Sequence, residues 1–203
     1  MLYNSFYDNH QTFKQRTTKK IMETLNIILS VLLVYFSLTL IIPAIIVPNL
    51  WLYKTKKTIT SKKLKEKIKE LGKIKNKNLF VKSTFLYVAK RYSAATGPIN
   101  FLVNLPKLFQ NDPNKITEKN GFAYCHVQDL IIKTILIGSK RFKEKDIKEK
   151  ITFSAAIHQH LEVNIDGKKI NLDPWAYDLG VPYGKYLTIS TSLRNLLHSL
   201  TKL

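Results

Sequence analysis

From Thr24 to Tyr53 the chain carries no charged side chain, and Leu, Ile and Val dominate the run. An uncharged stretch of 30 residues exceeds the ~20 a helix needs to cross the hydrocarbon layer, so the first expectation is a transmembrane helix. Pro43 and Pro48 interrupt it. They either kink the helix or end it near Ile42, leaving Ala44 to Trp51 at the interface. A cleaved signal peptide and a buried core helix would pass the same hydropathy test. The length of the run and the lack of a small-x-small cleavage site after it argue against the signal peptide.

This span divides the chain. Residues 1–23 form a polar N-terminal tail with Lys14, Arg16, Lys19 and Lys20 and no clear period. Residues 24–53 are the anchor. Residues 54–78 are expected to be a basic helix and linker, and residues 79–203 a single folded domain. Nine lysines lie between Lys54 and Lys73 against four Lys or Arg before the span, which by the positive-inside tendency keeps the folded domain on the cytoplasmic side. The formal charge of +19 has two readings: compositional bias, or attraction to an anionic membrane surface. Nucleic acid is disfavoured as a partner, because the basic stretch lacks interleaved aromatics and any base-reading motif.

Within the basic segment, Thr60 or Ser61 can cap a helix whose apolar positions are Leu64, Ile68 and Leu71 and which stops at Gly72. A linker over Lys73 to Asn78 comes next. Val81, Phe85, Val88 and Tyr92 then mark a second, core-packing helix that Thr96-Gly97-Pro98 breaks. Residues 99–120 hold Pro106, Asp112-Pro113 and Asn120-Gly121 and read as loop with short helical pieces. Gly138 to Lys150 reads as a charged linking loop, with Ile151 to Phe153 the first strand of a small sheet.

His158 to Ile165 mixes polar and apolar residues around Leu161, Val163 and Ile165, as a strand with two unlike faces does. Asp166-Gly167 tolerates the positive φ angles of a tight hairpin, so Lys169 to Leu172 returns antiparallel and delivers Asp173 near the start of the first strand. His158 and Asp173 can therefore face each other. A carboxylate beside an imidazole fixes the ring's tautomer and supports its charged form, as a base requires. The chain's one cysteine, Cys125, falls where Gly121 to Tyr124 gives way to helical spacing at Val127, Leu130, Ile131, Thr134 and Ile135. A helix N-terminus and a nearby imidazolium both favour thiolate over thiol, which makes Cys125, His158 and Asp173 a nucleophilic set. His126 is expected to point away from it.

Cys125, then His158-Gln159-His160-Leu161-Glu162-Val163, then Leu172-Asp173-Pro174 resembles the core of the transglutaminase-like superfamily of papain-like cysteine enzymes. Its histidine strand reads roughly His-Ala-Trp-Val-Glu-Val and its aspartate lies in Leu-Asp-Pro. The likeness covers Asn111 to Tyr186 and departs from the pattern at Ala123, where Gly is common, and at His160, which replaces the usual Trp. It implies an α+β papain-like core, preceded here by the transmembrane helix. It also implies a Cys-His-Asp triad acting on peptide or carboxamide bonds through a thioester, with no cofactor and a protein or peptide as substrate. Hydrolysis by a peptidase or amidase is the simpler outcome, and amine transfer the other. Tyr124, Gln110, Asn120, His160 and Trp175 are the candidate oxyanion or groove residues.

Rival readings attach to the same residues. His158-x-His160-x-Glu162 puts three potential ligands on one strand face, so zinc held with Cys125 or Asp173 is an alternative. A third reading is an inactive, membrane-tethered binding protein on the same fold. The aromatic segment Pro174 to Gly184 either shapes a groove or caps a small core, and Leu193, Leu196, Leu197 and Leu200 suggest a closing amphipathic helix.

Overall fold

The computed structural model describes residues 2–47, 50, 58–93, 103–153 and 157–190. The expected break at Thr96-Gly97-Pro98 and the closing helix around Leu193 to Leu200 lie outside these residues. The chain forms two compact units, Met1–Pro43 and Ala44–Leu203.

The first unit is helical. Helix α1 runs Leu2–Phe36, so the polar N-terminal stretch is helical too and not an irregular tail. No Gly or Pro occurs before Pro43, and extending a helix that already exists carries no nucleation cost. Ahead of Pro43 the ladder widens into a π-turn over Ser37–Ile41, where the Ile42 N–H reaches back to the Ser37 carbonyl. Proline lacks an N–H and its ring crowds the carbonyl four residues back, that of Thr39, and a local π-turn relieves that crowding. A short helix α2, Ile42–Ile46, comes after it. The stretch Thr18–Ile46, 29 residues long with none of its apolar window buried, is long and apolar enough to cross a membrane. At 1.5 Å per residue it would reach about 40 Å against a hydrocarbon core of about 30 Å.

The second unit mixes helix and sheet. Ser61 caps helix α3, Lys62–Gly72, by accepting from the Leu64 N–H at 3.3 Å, and the helix buries Leu64 and Leu71. Asn76 caps helix α4, Lys77–Arg91, by accepting from the Leu79 N–H at 2.9 Å, so the linker is shorter than Lys73 to Asn78. Helix α4 buries Phe80, Val81, Phe85 and Val88 and ends where Tyr92–Ser93, strand β1, pairs in parallel with Gly121–Phe122, strand β2. The intervening segment carries a 3₁₀ turn, Leu105–Phe109, and a short helix α5, Pro113–Ile116. Arg91 donates to the carbonyls of Thr117 and Lys119, at 2.8 and 3.3 Å, and so pins the return of that segment to the end of α4.

Helix α6, Cys125–Gly138, is the centre of the unit and packs against α3, α4 and the sheet. Val127, Leu130, Ile131, Ile132, Ile135 and Leu136 are buried around most of its circumference. Ile131→Ala would cost about 2–5 kcal/mol through lost contacts and the cavity left behind. At its last residue, Gly138, a Cβ would come within 2.8 Å of the Ile59 side chain and 2.9 Å of Ile68, so a larger residue would have to displace both.

Strand β3 spans Ile147–Phe153, four residues longer at its start than the apolar signal at Ile151 to Phe153 suggests. Its charged residues have places in the sheet: Glu149 faces α6 and binds Lys133 at 2.6 Å, while Lys148 and Lys150 are exposed on the opposite face. Strand β4, Ile157–Ile165, and strand β5, Lys168–Leu172, complete an antiparallel sheet in the order β3-β4-β5. Leu161, Val163 and Leu172 fill the face toward α6. The hairpin at Asp166-Gly167 has φ of 50° and 88°, the left-handed pair its sequence calls for.

Candidate active site

The loop leading to Cys125 is set by backbone bonds on both sides. The Ala123 N–H donates to the Ser93 carbonyl at 3.4 Å, and the buried Gln128 side chain donates back to the Ala123 carbonyl at 2.9 Å. The N–H groups of Val127 and Gln128 both donate to the Tyr124 carbonyl at 3.0 Å, which starts the helix. Cys125 is therefore its first residue, and the Cys125 and His126 N–H groups precede the first helical bond. The thiol lies at the positive end of a fourteen-residue helix.

Sheet register sets the other two residues. Leu161 pairs with Leu172, so Asp173, one step beyond β5, emerges on the face of β4 that carries His158 and His160. His158 Nε2 donates to Asp173 Oδ2 at 2.8 Å. The same oxygen accepts from the Leu187 N–H at 2.8 Å, and Oδ1 accepts from the Ala176 N–H at 3.0 Å. Asp173 thereby caps helix α7, Pro174–Tyr177, whose first residue is a proline that needs no donor partner. With Nε2 taken by Asp173, Nδ1 is the nitrogen left to exchange a proton, and the Cys125 charge acts on this ring. The Trp175 ring lies 5.3 Å from the imidazole at 46° and limits its rotation.

Cys125, His158 and Asp173 thus converge, and their charges respond. Cys125 is half-buried by surface area yet densely surrounded by protein atoms. Burial pushes its thiol up, but the His158 charge and hydrogen bonds from His126 and His158 outweigh it and bring the pKa to about 5. Burial draws His158 down, but the Cys125 charge and the bond to Asp173 lift it well above its ordinary value. The two shifts favour a thiolate–imidazolium pair near neutral pH.

No protein family model, characterised protein or solved structure matches this chain. What the site can do rests on its geometry.

Tyr124 is buried beside the sulfur, and burial together with the Cys125 charge holds its phenol up at about 12, so it stays a neutral donor. Gln110 ends the 3₁₀ turn with its N–H on the Lys107 carbonyl, and Asn120 is exposed at the edge before Gly121. His160 turns its ring flat onto Tyr186, 4.3 Å away and 3° from parallel. Burial draws it down to about 4, so it is uncharged at neutral pH. Glu162 sits farther along the face, within 3.5 Å of Lys169. Among the described residues no group of three His, Cys, Asp or Glu side chains is placed to hold a metal ion.

Two residues at the site carry no clear signal in the sequence. His126, expected to point away, is buried with its Nε2 2.9 Å from the Leu108 carbonyl, and it contributes to lowering the Cys125 thiol. Asp129, one turn along α6 from Cys125, is 2 % exposed, and neither of its oxygens has a hydrogen-bond partner among the described residues. Burial, then the Cys125 and Asp173 charges, raise it well above the usual carboxylate range, so its neutral form is favoured there. The i, i+4 spacing from Cys125 is the one local hint of Asp129. The Leu108 contact has none.

Proposed function

We propose that this chain is a membrane-anchored cysteine enzyme of the transglutaminase-like superfamily, with a papain-like core that hydrolyses peptide or carboxamide bonds. The observation that carries this reading is the Cys125 thiol, lowered to about 5, beside a His158 ring whose far nitrogen is held 2.8 Å from Asp173. An inert structural cysteine has no need of that arrangement.

In the proposed cycle the Cys125 proton resides on His158 Nδ1, and the thiolate attacks the substrate carbonyl carbon. The carbonyl π electrons pass to oxygen. The backbone N–H of Cys125, free of helical bonding and at the positive end of α6, is suited to receive that oxyanion, with the neutral Tyr124 phenol beside it. Collapse breaks the C–N bond, His158 protonates the departing amine, and a thioester remains. Water then gives a proton to His158 and attacks the thioester, releasing the acid and restoring the pair. Asp173 orients His158 throughout. A lysine amine in place of water would give cross-linking. No cofactor is required.

Retention of the apolar helix as an anchor is supported by the residues just C-terminal to it. Val47 and Leu50 are buried, and the Gln159 side chain donates to the Leu50 carbonyl at 2.9 Å. Residues packed against the histidine strand are unlike a leader that is removed. The lysines after the span favour a cytoplasmic domain.

Alkylation of the full chain in detergent micelles tests this reading. Cys125 should react with iodoacetamide at pH 6 far faster than the same thiol in urea, and incubation with fluorogenic peptides should release the amine-side product. Equal alkylation rates folded and unfolded would refute it. Product formed only when a primary amine is added would move the assignment to acyl transfer.

A further inference from the structure

We propose that the mouth of the Cys125 site rests on the lipid surface, so that the enzyme takes a peptide or carboxamide held in the bilayer by an apolar group of its own. This inference rests on the triad and the anchor proposed above and names the substrate class they serve.

Beyond the apolar helix, the described residues expose six large hydrophobic side chains: Leu79, Val103, Leu105, Phe109, Phe153 and Ile189. All but Leu79 lie on segments tied to the triad. Val103, Leu105 and Phe109 belong to the 3₁₀ turn and its approach, where the Leu108 carbonyl lies 2.9 Å from Nε2 of His126, the residue after Cys125. Phe153 pairs with Ile157 at the end of the sheet, one step from the pairing of Thr152 with His158. Ile189 comes two residues after Leu187, whose N–H donates to Asp173 at 2.8 Å. Each member of the triad therefore has exposed apolar side chains on a segment bound to it or to its neighbour. Apolar surface gathered in this way marks a place where a partner or a membrane sits.

Two observations favour the bilayer. Ile46, the last residue of the membrane-length stretch, precedes Leu50 by four residues, and the Leu50 carbonyl accepts from the Gln159 side chain at 2.9 Å. Four residues reach at most ~14 Å, so a membrane crossed by that stretch ends close to Gln159 and to its neighbour His158. Charge is the second. Lys107, Lys150 and Lys185 stand beside the exposed apolar residues, and 103–109, 150–153 and 185–190 contain no Asp or Glu. Such a mixture suits anionic headgroups above acyl chains, because lysine stems lie along the apolar part while the ammonium groups reach the phosphates. A soluble polypeptide would cover apolar side chains as well, yet the Leu50 contact brings the span itself to the histidine strand.

Cys125 is the chain's one cysteine, so in a Cys125→Ser background a single new thiol reports one position. The full chain is placed in vesicles of phosphatidylcholine and phosphatidylglycerol, with a fluorophore on Leu33→Cys, Leu79→Cys, Phe109→Cys, Phe153→Cys or Ile189→Cys and a nitroxide-bearing lipid as quencher. Labels at 33, 109, 153 and 189 should be quenched, and the label at 79 should not. No quenching at 33 sinks the anchor reading, and this one with it. Quenching at 33 with none at 109, 153 and 189, or with as much at 79, overturns this proposal alone. So does a soluble apolar peptide that shields the labels at 109, 153 and 189 where the bilayer does not. Should the labelled variants unfold, a photoactivatable lipid decides on the wild type: cross-links must fall within 103–109, 150–153 and 185–190 as well as in the span, and cross-links in the span alone overturn it. The wild type should also cleave a fluorogenic peptide bearing a palmitoyl chain about tenfold faster than the same peptide without one, because the surface concentrates it. Equal rates overturn the substrate assignment. Slow alkylation of Cys125 would instead sink the triad reading and leave the lipid contact standing.

Discussion

His158 and His160 lie two residues apart on one face of β4, both buried, and their imidazoles are driven in opposite directions. At His160 burial dominates: the ring meets Tyr186, the charge of Asp173 is too weak to compensate, and the pKa falls to about 4. At His158 the same penalty is overcome by the Cys125 charge and a direct 2.8 Å bond to Asp173. Burial by itself makes an imidazole a neutral packing ring. Anionic neighbours in direct contact make it a base.

The contrast breaks most sharply at His158. His158→Ala removes the charge that holds Cys125 near 5, so the thiol returns toward its ordinary range and the thiolate fraction at pH 6 collapses. The lower-pKa thiolate is the weaker nucleophile, which offsets part of this, and the net expectation is an alkylation rate about 10²-fold lower at pH 6. Rates within twofold of wild type would end the comparison.

Asp173→Asn comes next. One amide oxygen must then serve donors that two carboxylate oxygens now share, from His158, Ala176 and Leu187. Alkylation should slow about tenfold, and urea unfolding should show a loss of about 1–3 kcal/mol.

Asp129→Asn sharpens the comparison, since Asp129 is a buried acid with no hydrogen-bond partner among the described residues to oppose its desolvation. Its pKa is raised on folding, so the native state binds the proton more tightly than the unfolded chain does. Its contribution is full below the unfolded value near 3.8 and is lost as pH rises through the folded value. The asparagine variant should therefore gain stability relative to wild type as pH increases, read from urea midpoints between pH 4 and 9. A constant difference across that range would mean that Asp129 does not titrate on folding.

The smallest effect belongs to His160→Phe, which keeps an aromatic ring against Tyr186. Alkylation at pH 7 should stay within about twofold of wild type. A lowered pKa means that the unfolded chain binds the proton first, so wild type loses stability as pH falls from 6.5 to about 4. The variant should lack that loss, which thermal melts at pH 4 and pH 7 would detect.

Much of this is legible in the sequence because it is local. The Asp166-Gly167 turn fixes the pairing of β4 with β5, and pairing sets Asp173 against His158. Ser61 announces the start of α3, and the spacing from Val127 to Ile135 announces α6. The features that cannot be read depend on distant chain. The Leu108 carbonyl meets His126 across 18 residues, and Tyr186 meets His160 from beyond the motif. The start of β3 is hidden because Lys148 and Lys150 point to solvent while Glu149 satisfies Lys133, so charge there marks a two-faced strand and not a loop. The π-turn before Pro43 shows the proline's effect displaced toward the N-terminus of the residue that causes it.

Leu187 lends one backbone hydrogen to the carboxylate that holds the His158 ring. A polypeptide truncated after the Leu172-Asp173-Pro174 motif would keep Cys125, His158 and Asp173 and still lose two of the three hydrogen bonds that fix Asp173, those from Ala176 and Leu187. The smallest fragment that keeps all three of these bonds therefore reaches Leu187, well past the last recognisable motif.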